Sequence, residues 1–242
     1  MKDKWVIGDL HGGLKGLEQL LERAPIKEDD ILIFLGDYVD GWSDSAALVS
    51  RLLELEQQYE CIFIKGNHDV RCYNWLLHGA EDEVWLRHGG RGTKASYYLM
   101  PSAQKREHIL FFERLLNYYV DGANNLFIHA GFTTSDGPEP EFTGKKINWD
   151  RTLWENAMTM HRRVLKDERL FPRKLKLYHE IFIGHTPTLF FGRDTPMNAC
   201  NVWNMDTGAA YTGKASIMNV ATKRFYQSDP LTRLYPEETG RN

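Results

Sequence analysis

Cysteine is scarce in this chain of 242 residues, which contains only Cys61, Cys72 and Cys200. Their number is odd and no two of them form a CxxC pair, which argues against a disulfide framework or a structural zinc site. A reducing compartment, the cytoplasm, is therefore the expected location. A strand-like apolar run begins almost at the first residue, so we also expect no secretory signal peptide.

An excess of charge of one sign and long apolar runs are lacking as well. The 30 Lys and Arg residues nearly balance the 33 Asp and Glu residues, and the formal net charge of −3 provides no general attraction to nucleic acid or anionic membranes. No apolar run approaches the roughly 20 residues that span a bilayer. With 42% hydrophobic residues the chain has ample material for a core, and we expect a single domain over residues 1–242.

What the chain does contain is a series of polar motifs, each directly behind a short apolar run that is typical of a buried strand. The motifs are residues 8–12 (GDLHG), 36–41 (GDYVDG), 66–69 (GNHD), 129–131 (HAG) and 184–186 (GHT). In an open α/β sheet the carboxyl ends of the strands share one rim, where ligands bind. The sequence therefore predicts that these distant polar residues converge on one site.

The elements between the motifs predict an α/β fold. Leucines at helical spacing separate the first three strands, and a β-α-β-α-β order requires a parallel sheet with crossover helices. Residues 70–122 show no clear strand and are predicted to form helices, with a flexible loop at residues 89–92. Residues 201–206 and 215–220 alternate apolar and polar side chains, which predicts an antiparallel pair in a second sheet. The polar tail after Pro230 is expected to fray.

The polar residues of the motifs form a donor set suited to two divalent metals. Two such ions about 3.5–4 Å apart share a bridging oxygen and clamp an in-line phosphoryl displacement. They require hard carboxylate and amide oxygens together with imidazole nitrogens. The candidate ligands are Asp9 and His11 for the first ion, Asp37 as the bridge, and Asn67, His129 and His185 for the second ion.

The ordered motifs GDxHG, GDxVD, GNHD, HAG and GHT resemble those of the calcineurin-like metallophosphoesterases. Within that superfamily they are similar to the bacterial and phage-type serine/threonine phosphoprotein phosphatases, and residues 206–208 (DTG) resemble a late turn of the family. The resemblance implies a four-layer α/β/β/α sandwich. It also implies a metal-dependent phosphatase, a hydrolase of phosphoric ester bonds, in which a metal-bridging hydroxide attacks the phosphorus atom.

The same resemblance implies roles for two further residues. His68 would be the general acid that protonates the leaving oxygen, and Asp40 would orient it and keep it charged through a hydrogen bond. This dyad is chemically sensible, because the leaving group needs a proton and a paired carboxylate favours a protonated imidazole. Asn67 is also a candidate substrate contact.

The sequence departs from the family at the residues that bind the substrate phosphate. An arginine and a glycine usually follow GDxVD, whereas this chain has Gly41 and Trp42. A planar guanidinium is the natural complement of a phosphoryl group, so another arginine is expected to supply it. The candidates are Arg151, in a segment that resembles a tryptophan–x–arginine stretch of bacterial members, and then Arg71 and Arg91.

The substrate and the metal are not determined by these motifs. The leading substrate is a phosphomonoester, either a small one or phosphoserine or phosphothreonine on a protein. The first alternative is a symmetrical dinucleoside-tetraphosphate hydrolase. A non-catalytic metal-binding interaction scaffold is the alternative from another class, although such a protein would be expected to lose ligands or the acid. Manganese is the expected metal, with iron, zinc, nickel or cobalt as alternatives. No membrane or nucleic-acid partner is expected.

The remaining histidines do not show ligand spacing. They are His78, His88, His108, His161 and His179. We expect these five to be surface or structural residues.

Overall fold

A computed structural model describes residues 2–141, 147–161 and 171–241 of the chain. Within these residues ten strands form two five-stranded sheets. The strands are β1 (Lys4–Ile7), β2 (Ile31–Phe34), β3 (Glu60–Phe63), β4 (Tyr118–Val120), β5 (Leu126–Ile128), β6 (Ile181–Ile183), β7 (Met197–Ala199), β8 (Val202–Asn204), β9 (Ser216–Asn219) and β10 (Phe225–Gln227).

Both sheets are mixed. The first has the order β10-β9-β1-β2-β3, and its β1, β2 and β3 are parallel, as the sequence predicts. The second has the order β4-β5-β6-β8-β7, with β5, β6 and β8 parallel. In the first sheet β9 and β10 are antiparallel to their neighbours, and in the second sheet the edge strands β4 and β7 are.

Helices cover the outer faces of the sheets. The described α-helices are α1 (Leu14–Arg23), α2 (Ser45–Glu56), α3 (Asn67–His78), α4 (Glu83–Trp85), α5 (Arg91–Tyr97), α6 (Ser102–Glu113), α7 (Thr152–His161), α8 (Arg173–Lys176) and α9 (Leu231–Leu234). The segment Leu86–Gly90 joins α4 to α5 through a kink at His88 and Gly89, whose backbone angles are not helical. Short 3-10 turns lie at Glu139–Glu141 and Thr188–Phe191. Within the described residues no helix has both the length and the apolar character required to cross a membrane.

The strands are apolar on both faces because each sheet is buried on both sides. Along β1, Trp5 and Ile7 face a core shared with helices α1, α2 and α6, whereas Val6 faces the other sheet. Phe127 and Phe182 fill the space between the sheets and stack with ring centroids 5.0 Å apart. A third core lies between the second sheet and helices α7 and α8. The four-layer α/β/β/α sandwich is therefore confirmed.

Two sequence predictions about strands are wrong. Residues 70–122 do contain a strand, β4, whose three half-buried residues are too few to produce a clear periodic pattern. The two alternating segments after residue 200 do not pair with each other: β8 joins the second sheet, while β9 joins the first between β1 and β10. An alternating pattern identifies a strand but not its partner, and two strands that are close in sequence need not pair with each other.

Two segments expected to be flexible have defined paths. The predicted break between helices is present as a kink, because the backbone angles of His88 and Gly89 are not helical, but Arg91 and Gly92 already belong to α5. The tail does not fray, because α9 docks on α1 and Tyr235 stacks on Trp42 with ring centroids 5.2 Å apart. The buried indole of Trp42 provides an apolar surface that the tail covers.

Candidate metal centre

The five motifs lie at the carboxyl ends of parallel strands from both sheets, and there the backbone turns sharply. Four of the candidate residues have positive φ angles: His11 (48°), Asp37 (54°), Asp40 (69°) and His185 (67°). Such angles are uncommon for residues with side chains, and they cluster at functional sites whose surroundings hold them in place. Here they turn polar side chains inward at the edge where the two sheets meet.

Asp37 lies at the centre of the cluster. Its Oδ2 atom lies 3.6 Å from Nε2 of His11 and 3.4 Å from Nε2 of His129. Its Oδ1 atom accepts the backbone N–H of His68 over 2.9 Å, which fixes the orientation of the carboxylate. Two groups of buried donors share this side chain, one with His11 and His68 and the other with His129 and His185, and within each group the donor atoms lie within 4.8 Å of one another.

The backbone selects which imidazole nitrogen faces the cluster. Nδ1 of His129 lies 2.8 Å from the carbonyl oxygen of Leu35, and Nδ1 of His11 lies 3.0 Å and 2.9 Å from the carbonyl oxygens of Val39 and Asp40. A carbonyl oxygen only accepts, so each Nδ1 must donate a proton. Nε2 of each ring therefore faces Asp37, and in the neutral form of the ring this atom carries the lone pair with which a histidine ligates a metal.

Asn67 and His185 extend the second group. Oδ1 of Asn67, at the first residue of α3, lies 3.1 Å from Nε2 of His129 and 2.9 Å from Nδ1 of His185. Nε2 of His185 is buried and has no hydrogen-bond partner among the described residues. A buried polar atom without a partner is unusual in a folded protein, and this one is a good metal ligand.

Asp9 completes the ring of donors. Its two carboxylate oxygens accept the backbone N–H of His185 over 3.2 and 3.1 Å, which ties the first motif to the fifth. Its Oδ2 atom lies 3.7 Å from Nε2 of His11. In the part of the chain that the structure describes, neither Asp9 nor Asp37 pairs with a lysine or arginine, although each is only 2% exposed. Buried carboxylates need positive charge nearby, so the donor set fits divalent cations.

The pKa values of the candidate ligands reflect their burial and the charges of their neighbours. Burial favours neutral His129, but the charge and hydrogen bond of Asp37, the charge of Asp9 and the hydrogen bond to Leu35 together outweigh it and raise the pKa of His129 to about 10. Burial likewise opposes the charge of Asp37, but His129 and His68 hold the pKa of that carboxyl well below its usual range. Burial and the neighbouring His129 lower the pKa of His185 well below its usual value. The buried carboxylates thus favour the protonated form of His129, whereas His185 favours its neutral form.

His68 and Asp40 form a buried pair beside the donors. Nδ1 of His68 lies 2.7 Å from Oδ2 of Asp40, and the His68 ring is edge-on to the ring of His11 at 5.1 Å. Burial lowers the pKa of His68, because it outweighs the opposing charges of Asp37 and Asp40. The contact with Asp40 leaves Nε2 of His68 as its free ring nitrogen.

Sequence reasoning did not assign a role to the residues that hold Asp40. Trp85 donates its indole N–H to Oδ2 over 2.7 Å, and Thr93 donates its hydroxyl to Oδ1 over 2.6 Å. Gly89, at φ 104°, allows the segment that carries Trp85 and Thr93 to lie close to the backbone of Asp40, since a Cβ atom at residue 89 would lie 2.6 Å from the carbonyl carbon of Asp40. The sequence signal for these residues is the stretch 89–97, which resembles a GG-x-x-T-x-x-S-Y segment of bacterial members of the family but by itself assigns Gly89 and Thr93 no role.

Asp69, the last residue of the GNHD motif, connects two of the loops. Its carboxylate accepts the backbone N–H groups of Asp37 and Gly66, each over 2.8 Å, and that of Tyr38 over 2.9 Å. It therefore fixes the second motif to the third. The spacing of the motif places Asp69 here, but only the folded chain reveals the backbone groups that it binds.

The arginines chosen from the sequence occupy different settings. Arg71 binds Asp82 at 3.2 and 3.0 Å and lies 5.4 Å from the ring of Trp149. That indole is 46% exposed and lies 6.1 Å from the ring of His185, so Arg71 borders the centre. Arg151 is exposed, and its charge contributes to lowering the pKa of His185 after burial and His129.

Arg91 is exposed and lies 3.9 Å from Glu83. Four of the other histidines lie away from the donors, with His108 buried between Ser50 and Tyr97. The side chain of His161 lies outside the described residues.

Fold and site together define a metal-dependent phosphoesterase. A model of the calcineurin-like phosphoesterase family matches residues 4–211, and the chain belongs to this family. The family resemblance drawn from the motifs is thereby confirmed, as is the expectation of an enzyme that hydrolyses phosphoric esters.

Curated relatives differ in the substrates that their names state. The chain is 26% identical to bis(5'-nucleosyl)-tetraphosphatase PrpE [asymmetrical] of Oceanobacillus iheyensis, over 91% of this chain and 89% of that protein. It is 22% identical to serine/threonine-protein phosphatase 1 of Salmonella typhimurium, over 89% and 91% of the two chains. Among solved structures, a metallophosphoesterase from Sphaerobacter thermophilus superposes with a TM-score of 0.58 at 17% identity, covering 97% of this chain and 94% of that one. This last likeness supports the fold.

Proposed function

We propose that this chain is a dinuclear-metal phosphomonoesterase, a single catalytic domain over residues 1–242 that acts on small phosphoesters or on phosphoserine and phosphothreonine in proteins. The observation that carries the proposal is the position of Asp37, whose carboxylate belongs to both groups of buried donors. A carboxylate shared by two donor groups is what a pair of neighbouring cations requires.

Six residues are proposed to hold the two ions. They are Asp9 and His11 for the first ion, Asp37 for both, and Asn67, His129 and His185 for the second ion. When bound, such ions neutralise phosphoryl charge and provide a nucleophile from water at neutral pH. The oxygen and nitrogen donors suit manganese first, and also iron, zinc, nickel or cobalt.

His68 is proposed to donate a proton from Nε2 to the leaving oxygen of the ester. Asp40 holds Nδ1 and thereby fixes the ring orientation and stabilises the protonated form. The need for this proton is greatest when the leaving group is a poor one, such as the serine alkoxide of a phosphoprotein.

Asymmetrical hydrolysis of dinucleoside tetraphosphates is the second candidate. It is supported by the name of the Oceanobacillus relative and by the half-exposed Trp149 beside His185, since an indole at the edge of a site offers a stacking surface for a base. The symmetrical reaction, which is the alternative drawn from the sequence, has less support. The tetraphosphatases of Oceanobacillus iheyensis and Bacillus thuringiensis that this chain resembles are named as asymmetrical enzymes. A non-catalytic scaffold is disfavoured, since the complete donor set and the His68–Asp40 pair are retained.

A cytoplasmic location is proposed because the three cysteines form no disulfide in the described part of the chain, which suits a reducing compartment. The proposed partners are accordingly phosphorylated proteins or small phosphoesters.

The function is tested with metal-stripped protein reloaded with one ion at a time. We expect two ions per chain and phosphate release from p-nitrophenyl phosphate and a phosphoserine peptide, fastest with manganese. Diadenosine tetraphosphate is assayed in parallel, with nucleotide products separated by chromatography. Formation of ATP and AMP at a higher kcat/KM than for the monoesters would establish the second candidate instead. No hydrolysis with any ion, despite two bound ions, would establish the scaffold.

A further inference from the structure

Arg241, near the end of the chain, is held on loops that border the candidate metal centre. Its backbone N–H donates to the carbonyl oxygen of Ala210 over 2.7 Å. The preceding Gly240, at φ 67°, lies flat on Trp42, since a Cβ atom there would lie 2.8 Å from Cζ2 of Trp42 and 2.7 Å from the oxygen of Ala210. Only glycine permits both the backbone angle and this close approach. The backbone of Arg241 is therefore held in place by its hydrogen bond to Ala210 and by the contact of Gly240 with Trp42.

The groups that hold Arg241 are themselves joined to the site. Trp42 donates its backbone N–H to the carbonyl oxygen of His11 over 2.8 Å and its indole N–H to that of Ala209 over 2.7 Å. It is completely buried and stacks on Tyr235 at an interplanar angle of 22°. The second anchor, Ala210, follows the loop of Met205 and Asp206. A Cβ atom at Gly8, the residue before Asp9, would lie 2.2 Å from the carbonyl oxygen of Met205, so this loop packs directly against the first motif. The tail thus bridges two loops that border the donors.

The guanidinium of Arg241 has no anionic partner in residues 2–141, 147–161 and 171–241. It forms no ion pair there, and its Nε atom is buried without a hydrogen-bond partner, with the ring of Tyr211 at 5.7 Å from Cζ. Arg71 and Arg91, in contrast, each contact a carboxylate. A buried donor without an acceptor is costly, so an arginine in this setting is suited to bind an anion.

We propose that Arg241 binds the phosphoryl group of the substrate. The inference rests on the proposed phosphoesterase function and names a residue for it. The planar guanidinium of Arg241 presents parallel N–H donors that match the oxygens of a phosphoryl group. Gly41 stands where the resemblance leads us to expect an arginine, and Trp42 stands where it leads us to expect a glycine. The role of Trp42 would then be to anchor the tail that brings an arginine to the site from another direction.

The test is calorimetric titration of the metal-loaded, full-length protein with inorganic phosphate. Arg241→Gln is expected to weaken phosphate binding about tenfold to a hundredfold, the range for a lost hydrogen bond to a charged group. Arg241→Lys keeps the positive charge but not the planar guanidinium, so its phosphate affinity should lie between those of Arg241→Gln and the wild type. Arg233→Gln is the matched control, because it removes the same charge from an exposed position of the same tail. It should bind phosphate as the wild type does.

Metal content and melting temperature are measured for every variant. Wild-type phosphate affinity in Arg241→Gln would overturn the proposal, as would an equal loss in Arg233→Gln. A loss of metal or of thermal stability in both Arg241 variants would assign Arg241 a structural role and would also overturn it. If the wild type neither binds phosphate nor hydrolyses any ester, the proposed function itself fails, a result distinct from a defect confined to Arg241.

Discussion

Trp85 donates its indole N–H to Oδ2 of Asp40 over 2.7 Å, deep in the protein and beside the candidate metal centre. The same oxygen lies 2.7 Å from Nδ1 of His68, so one carboxylate oxygen is shared by an indole and an imidazole. Asp40 is fully buried and has hydrogen-bonding groups at both of its oxygens. Its geometry, and with it the orientation of His68, therefore depends on residues far from the motifs.

Removal of this indole N–H should weaken both stability and turnover. Trp85→Phe leaves the buried Asp40 carboxylate short of one donor, so the free energy of unfolding should fall by about 1.5–3 kcal/mol. We expect kcat to fall by about tenfold, because the His68 ring is less well held. This is smaller than the loss expected when a general acid is removed altogether. Urea denaturation and steady-state kinetics measure the two effects.

Trp203→Phe is the control for this variant. Trp203 also donates to a carboxylate, Glu180 at 3.0 Å, but on the second sheet and with partial exposure. Its replacement should leave kcat unchanged. Equal kcat values for wild type and Trp85→Phe would show that the indole contact does not position His68.

Asp37→Asn should abolish turnover and reduce the number of bound metal ions. The amide has the shape of the carboxylate but not its charge, and a bridging position between two cations depends on that charge. Metal content is measured by mass spectrometry after desalting. Asp29→Asn makes the same replacement on an exposed loop and should retain both ions and full activity. Normal activity of Asp37→Asn would refute the bridging role.

His68→Asn should retain both metal ions but lose the ability to protonate a leaving group. Hydrolysis of a phosphoserine peptide should slow by about 10²–10⁴-fold, whereas p-nitrophenyl phosphate, whose leaving group needs little protonation, should slow far less. The ratio of the two kcat values is the measurement. Equal slowing of both substrates argues against the acid role, and loss of an ion from the variant would make His68 a ligand.

His108 should make the stability of the fold depend on pH. Burial between Ser50 and Tyr97 lowers the pKa of His108 from 6.5 to about 4. Between these values the unfolded chain binds the proton and the folded chain does not. Stability is therefore fully present above pH 6.5 and is lost as the pH falls toward 4.

The loss attributable to His108 between pH 7 and pH 5 is about 2 kcal/mol. His108→Gln cannot titrate, so its free energy of unfolding should decrease less than that of the wild type over this interval. Urea denaturation at the two pH values provides the comparison. Parallel decreases in both proteins would show that His108 already binds its proton in the folded state.

The helices and parallel strands of the first sheet follow from local patterns. Leucines at helical spacing and apolar runs such as Ile31–Phe34 report directly on neighbouring residues, and β1, β2 and β3 are parallel as predicted. The partner of β9 could not be predicted in the same way, since pairing with β1 joins residues that are about 200 positions apart. Local periodicity carries no information about such distant partners.

The candidate donors were predictable for a different reason. Each follows directly on a strand, so a prediction of the strands also predicts that Asp37, Asn67 and His129 meet at one edge. The residues that hold this centre in place, such as Trp85 and Thr93, lie on helical segments whose packing is decided by the rest of the core. Their roles depend on distances that no sequence spacing specifies.

The sequence by itself determined the family, the strand ends and the set of polar side chains, because all of these are encoded in short contiguous stretches. The tertiary structure decided which imidazole nitrogens face inward, how Asp40 is held, and where the tail places Arg241. These features depend on backbone carbonyl groups and aromatic surfaces supplied by distant segments, and such groups come within hydrogen-bonding distance only after the two sheets have packed together.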